Sequence, residues 1–197
     1  MGKKKVWSGC LALCILLCSG CSDSNKLKLS DLDADTLYVS SDGTMELANV
    51  EEFKEEYYSK SELKEFIQDT IDTYAEQGNQ GTVKMEDFVV KDEVAKVLLS
   101  FDSPDTYTAF QGEELQLLKS EEITDNLVLP QQFSTLEDGK KIDKQKVLEQ
   151  KGLNYIIVNS SLNIHLDGNV KYYSDAMIIG DNEIQTTGEK PAVIIFE

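Results

Sequence analysis

The chain has 197 residues, of which 36 are acidic and 19 are basic, and its formal net charge is −17 at pH 7. Every basic residue is lysine. An acidic surface repels the phosphate backbone, and without arginine the chain lacks the planar side chain that binds guanine or phosphate through two hydrogen bonds. These properties exclude nucleic acid as a partner and predict repulsion from anionic lipid headgroups.

Residues 1–20 have the three-part order of a secretory leader. Lys3, Lys4 and Lys5 precede an apolar stretch from Val6 to Leu17, and small residues follow. This stretch is shorter than the roughly 20 helical residues that a bilayer core requires. We therefore expect a cleaved leader at 1–20 rather than a transmembrane helix.

The end of the leader, Leu17-Cys18-Ser19-Gly20-Cys21, resembles the lipobox of bacterial lipoproteins. In that family, small residues precede a cysteine that is lipidated and becomes the mature N-terminus. The resemblance implies acyl chains, palmitate among them, on Cys21. It also implies a location at the outer face of a bacterial plasma membrane, with the membrane itself as a partner through this lipid. Attachment by two acyl chains is stable without a membrane span.

A different acylation route would be N-myristoylation at Gly2 with palmitoylation of Cys10 or Cys14. It is disfavoured because Val6 stands where that motif has Ser or Thr. All four cysteines of the chain lie within residues 1–21, so the remainder has no thiol for a disulfide or a thiolate metal site. No cofactor is expected.

The domain boundary is predicted near residue 36. Residues 21–35 comprise Cys21 and a polar, charged segment without aromatic residues, which is typical of a flexible tether. As a random coil, about 14 residues would reach roughly 20 Å. Residues 36–197 are then expected to form a single domain, with two lobes at 36–118 and 119–197 as the alternative.

The first half of this domain predicts two hairpins and a long helix. Asp42-Gly43 between two β-prone runs indicates the first hairpin. Ser59 and Glu62 match a capping box, and the helix that follows is expected to end at Gly78. Its apolar stripe is expected to be core. The stripe residues are Leu63, Phe66, Ile67, Thr70, Ile71 and Tyr74.

The later segments are shorter. Ser103-Pro104-Asp105 has the order of a helix N-terminus, and Gly112 ends that segment. The remaining predictions for this part are a hairpin from 83–89 and 94–101, a strand at 115–118, mostly loop at 120–142 and a short helix at 143–151.

Apolar and polar residues alternate from Ile156 to Asp167, which predicts a half-buried strand. With a turn at 167–169, this strand would pair Leu166 with Val170 and Ile164 with Tyr172. One face would then carry a polar ladder that is the best candidate for a recognition surface. Its residues are Asn159, Ser161, Asn163, His165, Lys171, Tyr173 and Asp175.

The C-terminal run Ala192–Phe196 is entirely apolar and indicates a strand covered on both faces. We expect deletion of the last six residues to unfold the domain. The predicted fold class is therefore α+β, a mainly antiparallel sheet built from hairpins with one long and two short helices packed on one side.

Few groups in the sequence suit catalysis, and no catalytic residue is assigned. His165 is the only histidine, and no serine lies in a Gly-x-Ser-x-Gly motif. Asp31, Asp33 and Asp35 alternate as in the start of an EF-hand calcium loop, but Thr36 stands where that loop needs glycine.

The chain as a whole is similar to surface lipoproteins of Gram-positive bacteria, a resemblance that implies no activity. The expected function is a non-catalytic extracytoplasmic module that binds protein, peptide or envelope glycan. The alternatives are a carboxylate-dependent cell-envelope hydrolase, which needs only two suitably placed acids, and a weak calcium-binding surface protein.

Overall fold

The computed structural model describes residues 26–55, 57–124 and 126–197, so the predicted leader and Cys21 lie outside the described residues. Within these ranges the fold is α+β, as predicted, with thirteen strands in two mostly antiparallel sheets. The helices are α1 (Lys60–Glu76), α2 (Pro104–Gln111) and α3 (Lys144–Leu148). The strands are β1 (Thr36–Val39), β2 (Met45–Glu52), β3 (Val83–Lys91), β4 (Val94–Phe101), β5 (Leu115–Lys119), β6 (Gln132–Thr135), β7 (Lys141–Asp143), β8 (Asn154–Val158), β9 (Asn163–Leu166), β10 (Val170–Ser174), β11 (Ala176–Ile178), β12 (Glu183–Thr186) and β13 (Ala192–Phe196).

The first sheet has the order β11-β12-β9-β1-β2-β4-β3, and the second has the order β5-β8-β13-β10-β6-β7. Both hairpins predicted in the first half are confirmed, β1 with β2 and β3 with β4. The β3–β4 turn holds Asp92 at φ 50° and Glu93 at φ 62°. Two successive positive φ angles are typical of the tight turn that matches strand twist. β1 and β9 run parallel, which places late residues beside early ones.

The main core lies between the facing sheets. Leu37 and Ile164 of the first sheet and Ile156 and Ile194 of the second are fully buried in one cluster. The other face of the second sheet forms a further cluster that includes Val147 of α3. All five residues of β13 are buried, which confirms the prediction of a strand covered on both faces.

The two longer helices close the main core beside β3 and β4. Ser59 caps α1, its Oγ accepting from the backbone N–H of Glu62 at 3.3 Å, as the capping motif predicts. Ile71 and Tyr74 anchor the C-terminal half of α1, and Tyr107 of α2 is buried in the same cluster. The two helices therefore share one core, whereas α3 packs in the other cluster.

The predicted hairpin around residues 167–169 is wrong. β9 has both edges occupied, pairing with β1 through Leu166 and Val39 and with β12 through Ile164 and Ile184. β10 instead lies in the second sheet between β13 and β6. The apolar alternation continues through residues 159–162, where the chain crosses between sheets, because both sheets turn apolar side chains toward one shared core. The segment 120–142, expected to be mostly loop, contributes β6 and part of β7.

Residues 26–32, which we call the N-terminal strap, lie on the outer face of the first sheet. Leu27 and Leu29 are 3% and 4% exposed in a cluster with buried residues of β2 and β4. The Glu46 carboxylate accepts from the backbone N–H groups of Lys26 and Leu27 at 2.8–3.0 Å. The Lys96 ammonium donates to the carbonyl of Leu29 at 3.1 Å. The predicted flexible tether is therefore packed from Lys26 onward.

The chain division at residue 118 does not correspond to two lobes. β1 pairs with β9, and β5 pairs with β8, so each sheet combines strands from both sides of that boundary.

Candidate binding site

An apolar groove of about 470 Å³ opens between the N-terminal half of α1 and the first sheet. Leu63, Phe66 and Ile67 form its helical wall, and Phe88 and Val97 belong to its sheet wall. We call this feature the aromatic groove. Phe66 is 68% exposed, which is unusual for a phenylalanine in the middle of a helix.

The segment between β2 and α1 supplies the remaining aromatic rings. Tyr58 lies between two neighbours, with its ring centroid 5.0 Å from that of Phe53 and 4.9 Å from that of Tyr57. Offset and edge-on ring pairs at these distances attract one another. Tyr57 is nevertheless 77% exposed. The backbone N–H of Phe53 donates to the carbonyl of Glu93 at 2.6 Å, which fixes this segment beside the β3–β4 turn.

Glutamates line the groove alongside these rings. Glu51 and Glu52 come from the end of β2, and Glu62 comes from the first turn of α1. Glu52 contacts the Lys54 ammonium at 2.5 Å. Within residues 26–55, 57–124 and 126–197, no salt bridge involves Glu51 or Glu62. Lys96 lines the groove as well, so the lining combines apolar side chains with three carboxylates and one ammonium group.

Phe66 also borders a second, more polar depression of about 420 Å³, which lies beside the C-terminal half of α1. Asp69 and Thr73 line it from the helix, and Phe110 lines it from α2. Phe66 lines both depressions, which follow one another along α1.

The sequence prediction for α1 was correct in position and wrong in part about burial. Ile71 and Tyr74 are buried as expected, and Leu63 and Ile67 are half-buried. Phe66 and Thr70 are exposed, so the stripe is not all core. Apolar spacing identifies the face that turns toward the sheet, but it does not show where along the helix the contact with the sheet ends.

The predicted polar ladder is divided between the two sheets. Asn163 and His165 lie on β9 of the first sheet, and Lys171 and Tyr173 lie on β10 of the second. Tyr173 packs partly against the main core rather than on a polar surface. Lys171 forms an ion pair with Glu197 at 2.7 Å. The pairing that would have made these residues one surface does not occur.

The other ladder residues lie where the chain crosses between sheets. Asn159 is exposed, and Ser161 donates through its hydroxyl to the carbonyl of Thr186 at 3.4 Å. Asp175 adopts φ 51° between β10 and β11, and it contacts Lys190 at 3.8 Å. These residues join strands, and the structure does not bring them together with Asn163 and His165.

The structure does bring Asn163 and His165 close to two of the predicted metal ligands. Together with Asp31, Asp33 and Glu183 they line a groove of about 320 Å³ on the first sheet. His165 Nε2 lies 3.8 Å from a carboxylate oxygen of Glu183, beyond hydrogen-bond distance. Sequence reasoning did not predict this proximity, because it depends on the parallel pairing of β1 with β9.

The segment with the alternating aspartates does not form an EF-hand loop. A twelve-residue EF-hand loop that begins at Asp31 would extend to Asp42. In the structure, residues 31–42 contain strand β1, and the Asp35 carboxylate accepts from the backbone N–H of Val50 at 2.8 Å. Asp42 accepts from the N–H and the hydroxyl of Thr44 at 2.9 and 2.7 Å. In the described part of the chain, no group of three or more His, Cys, Asp or Glu residues is placed to hold a metal ion.

In the part of the chain that the structure describes, three carboxyl groups have a clearly shifted pKa, and all three shifts are downward. The backbone N–H of Thr44 and then its hydroxyl donate hydrogen bonds to the Asp42 carboxylate, and these lower the pKa of Asp42. The hydroxyl of Thr106 lowers the pKa of Asp102, and the ammonium of Lys140 lowers the pKa of Asp138 to about 2. A general acid in glycoside hydrolysis requires a raised carboxyl pKa, so these three groups are the opposite of what that role needs.

No helix within the described ranges is long and apolar enough to cross a membrane. Comparisons of the chain with protein-family models, with curated proteins and with solved structures found no match.

Proposed function

We propose that this protein is a non-catalytic binding module, lipid-anchored through Cys21 at the outer face of a bacterial plasma membrane, that binds a protein or peptide through the aromatic groove. The observation that carries the binding part is the exposure of Phe66 and Tyr57 beside an apolar groove. Exposed apolar surface bordered by polar residues is typical of interaction sites.

The groove suits a peptide side chain better than a sugar. A sugar ring needs hydrogen-bond partners for its hydroxyl groups as well as an aromatic platform. At the groove such partners are limited to its charged residues, its tyrosines and Ser59, whereas the apolar side chains that form its helical and sheet walls offer none. An aromatic or aliphatic side chain buried against Phe66 gains stabilisation without further polar partners.

The anchor part of the proposal is supported by the lipobox-like residues that end at Cys21. We expect cells fed an alkyne-labelled palmitate to incorporate the label into the protein. The Cys21→Ser variant should lose the label and appear in the culture medium or as the uncleaved precursor. Retention of Met1 with an unmodified Cys21 thiol in intact-mass measurements would contradict the proposal.

The binding part is tested with a random displayed-peptide library selected on the full-length protein. Peptides that still bind the Phe66→Ala variant are then removed. The peptides that remain should be enriched in aromatic or aliphatic residues. A matched control, Val128→Ala, removes an apolar side chain that is 93% exposed and distant in the chain from the groove. Enrichment that is insensitive to Phe66→Ala would refute the groove as the site, whereas its loss in both variants would indicate nonspecific apolar adsorption.

A further inference from the structure

We infer that the partner of the aromatic groove is a basic amphipathic segment, in which an apolar anchor residue is flanked by lysine or arginine. This inference deepens the proposed function and depends on it. It specifies the chemistry of the partner from the charge of the residues that surround the groove.

The side chains around the groove carry more negative than positive charge. Glu51, Glu52 and Glu62 line the groove, and of these three only Glu52 is in an ion pair of the described residues, with Lys54. Lys96 also lines the groove, but its ammonium donates to the carbonyl groups of Leu29 and Leu32 in the N-terminal strap. The net charge of −17 adds a long-range field of the same sign. Such a surface accelerates encounter with cations and repels acidic partners.

The second argument is that a ring of the groove already has a cation beside it. The ammonium of Lys60 lies 6.0 Å from the centroid of Phe88, the outer limit of a cation–π contact. Phe66 and Tyr57 are exposed, and no cation–π contact among the described residues involves either ring. They offer a flanking lysine or arginine of the partner the same kind of contact, while its apolar side chain enters the groove.

Other occupants fit these features less well. An anionic lipid would place its headgroup beside the three glutamates, which costs electrostatic energy. A second copy of the chain would bring the same acidic rim against itself, because the symmetric interface of a dimer juxtaposes identical surfaces. A basic segment alone satisfies both the apolar interior and the acidic surroundings.

The experiment compares the charge of peptides that bind through Phe66. In the library selection, the peptides that bind the full-length protein but not its Phe66→Ala variant should be enriched in Lys and Arg beside their apolar anchor. Synthetic versions of these peptides should bind about tenfold more weakly to the triple variant Glu51→Gln, Glu52→Gln, Glu62→Gln, since three exposed ion pairs each contribute a factor of roughly two. Their affinity should also fall as salt is raised.

The control is a triple variant with the same change in net charge at exposed glutamates outside the groove, Glu121→Gln, Glu137→Gln and Glu189→Gln. It should retain at least half of the parent affinity. Equal weakening in both triple variants would overturn a local role for the groove charges.

The two proposals fail in different ways. Phe66-dependent peptides that are neutral or acidic would refute the basic partner and leave the groove as a binding site. Absence of any Phe66-dependent peptide would refute the proposed function together with this inference. A dimer in light scattering that dissociates in Phe66→Ala would identify a second copy as the occupant and overturn the basic segment.

Discussion

Truncation of two residues of α1 to alanine should change the free energy of unfolding by very different amounts. Ile71 is 6% exposed in the main core, and Phe66 is 68% exposed at the groove. Replacing a buried isoleucine by alanine costs about 2–4 kcal/mol, through lost burial and the cavity that remains. Phe66→Ala removes a larger side chain, but only about a third of it is shielded from water, which corresponds to roughly 0.5–1 kcal/mol.

Helix propensity offsets much of that smaller loss. Alanine favours a helix interior over phenylalanine by about 0.5 kcal/mol. The net change for Phe66→Ala should therefore lie within about 0.5 kcal/mol of the parent. Urea denaturation followed by circular dichroism measures both free energies of unfolding directly. If Phe66→Ala were destabilising by as much as Ile71→Ala, Phe66 would be a structural residue and the binding role assigned to it would be wrong.

Three further changes test how the fold is held together. Asp102→Asn should lower the free energy of unfolding by about 1 kcal/mol, because the carboxylate accepts from the hydroxyl of Thr106 at 2.7 Å. Since the folded pKa of Asp102 lies below 3.8, this difference should be constant above that pH and should shrink as the pH falls through the lowered value. Gly168→Ala should cost about 1–3 kcal/mol, since its new Cβ would lie 2.2 Å from the carbonyl oxygen of Glu197. Deletion of residues 192–197 removes β13 and should abolish the cooperative urea transition.

Control variants and conditions distinguish these specific effects from a general loss of stability on substitution. Gly139→Ala introduces a Cβ with no atom within 4 Å, so its cost should be limited to about 1 kcal/mol of backbone strain at φ 66°. Equal destabilisation by Gly139→Ala and Gly168→Ala would show that crowding at the C-terminus is unimportant. A difference between Asp102→Asn and the parent that persists unchanged at pH 2 would contradict the role of the ionised carboxylate. A sharp transition in the shortened chain would show that β13 is dispensable.

Local patterns in the sequence predicted local structure well. The Asp-Gly turn, the capping serine at Ser59 and the sequence Ser103-Pro104-Asp105 each specify backbone conformation over a few residues, and each element occurs where expected. Gly112 ends α2 at φ 73°, a conformation that glycine adopts without strain. These features depend on short-range sterics and hydrogen bonds, which do not require knowledge of the rest of the chain.

Pairing between distant strands could not be predicted in the same way. One long strand would show the same alternation of apolar and polar residues from Ile156 to Leu166 as two shorter strands, one in each of the facing sheets. Nothing local indicates that β9 pairs with β1, since the alignment of Leu37 with Ile164 depends on the packing of the whole domain. The aromatic groove was missed for a related reason: the exposure of Phe66 depends on where along α1 the contact between the helix and the sheet ends.

If Cys21 carries acyl chains, as proposed, the packing of the N-terminal strap limits the distance between the groove and the lipid bilayer. Each residue extends at most about 3.5 Å, so a chain running from Cys21 to Lys26 spans no more than about 18 Å. With acyl chains on Cys21, as proposed, the domain would be confined to a thin layer of solvent along the membrane surface. Partners embedded in or attached to the same membrane would then meet the groove at a high effective concentration, and even a weak individual contact would be occupied.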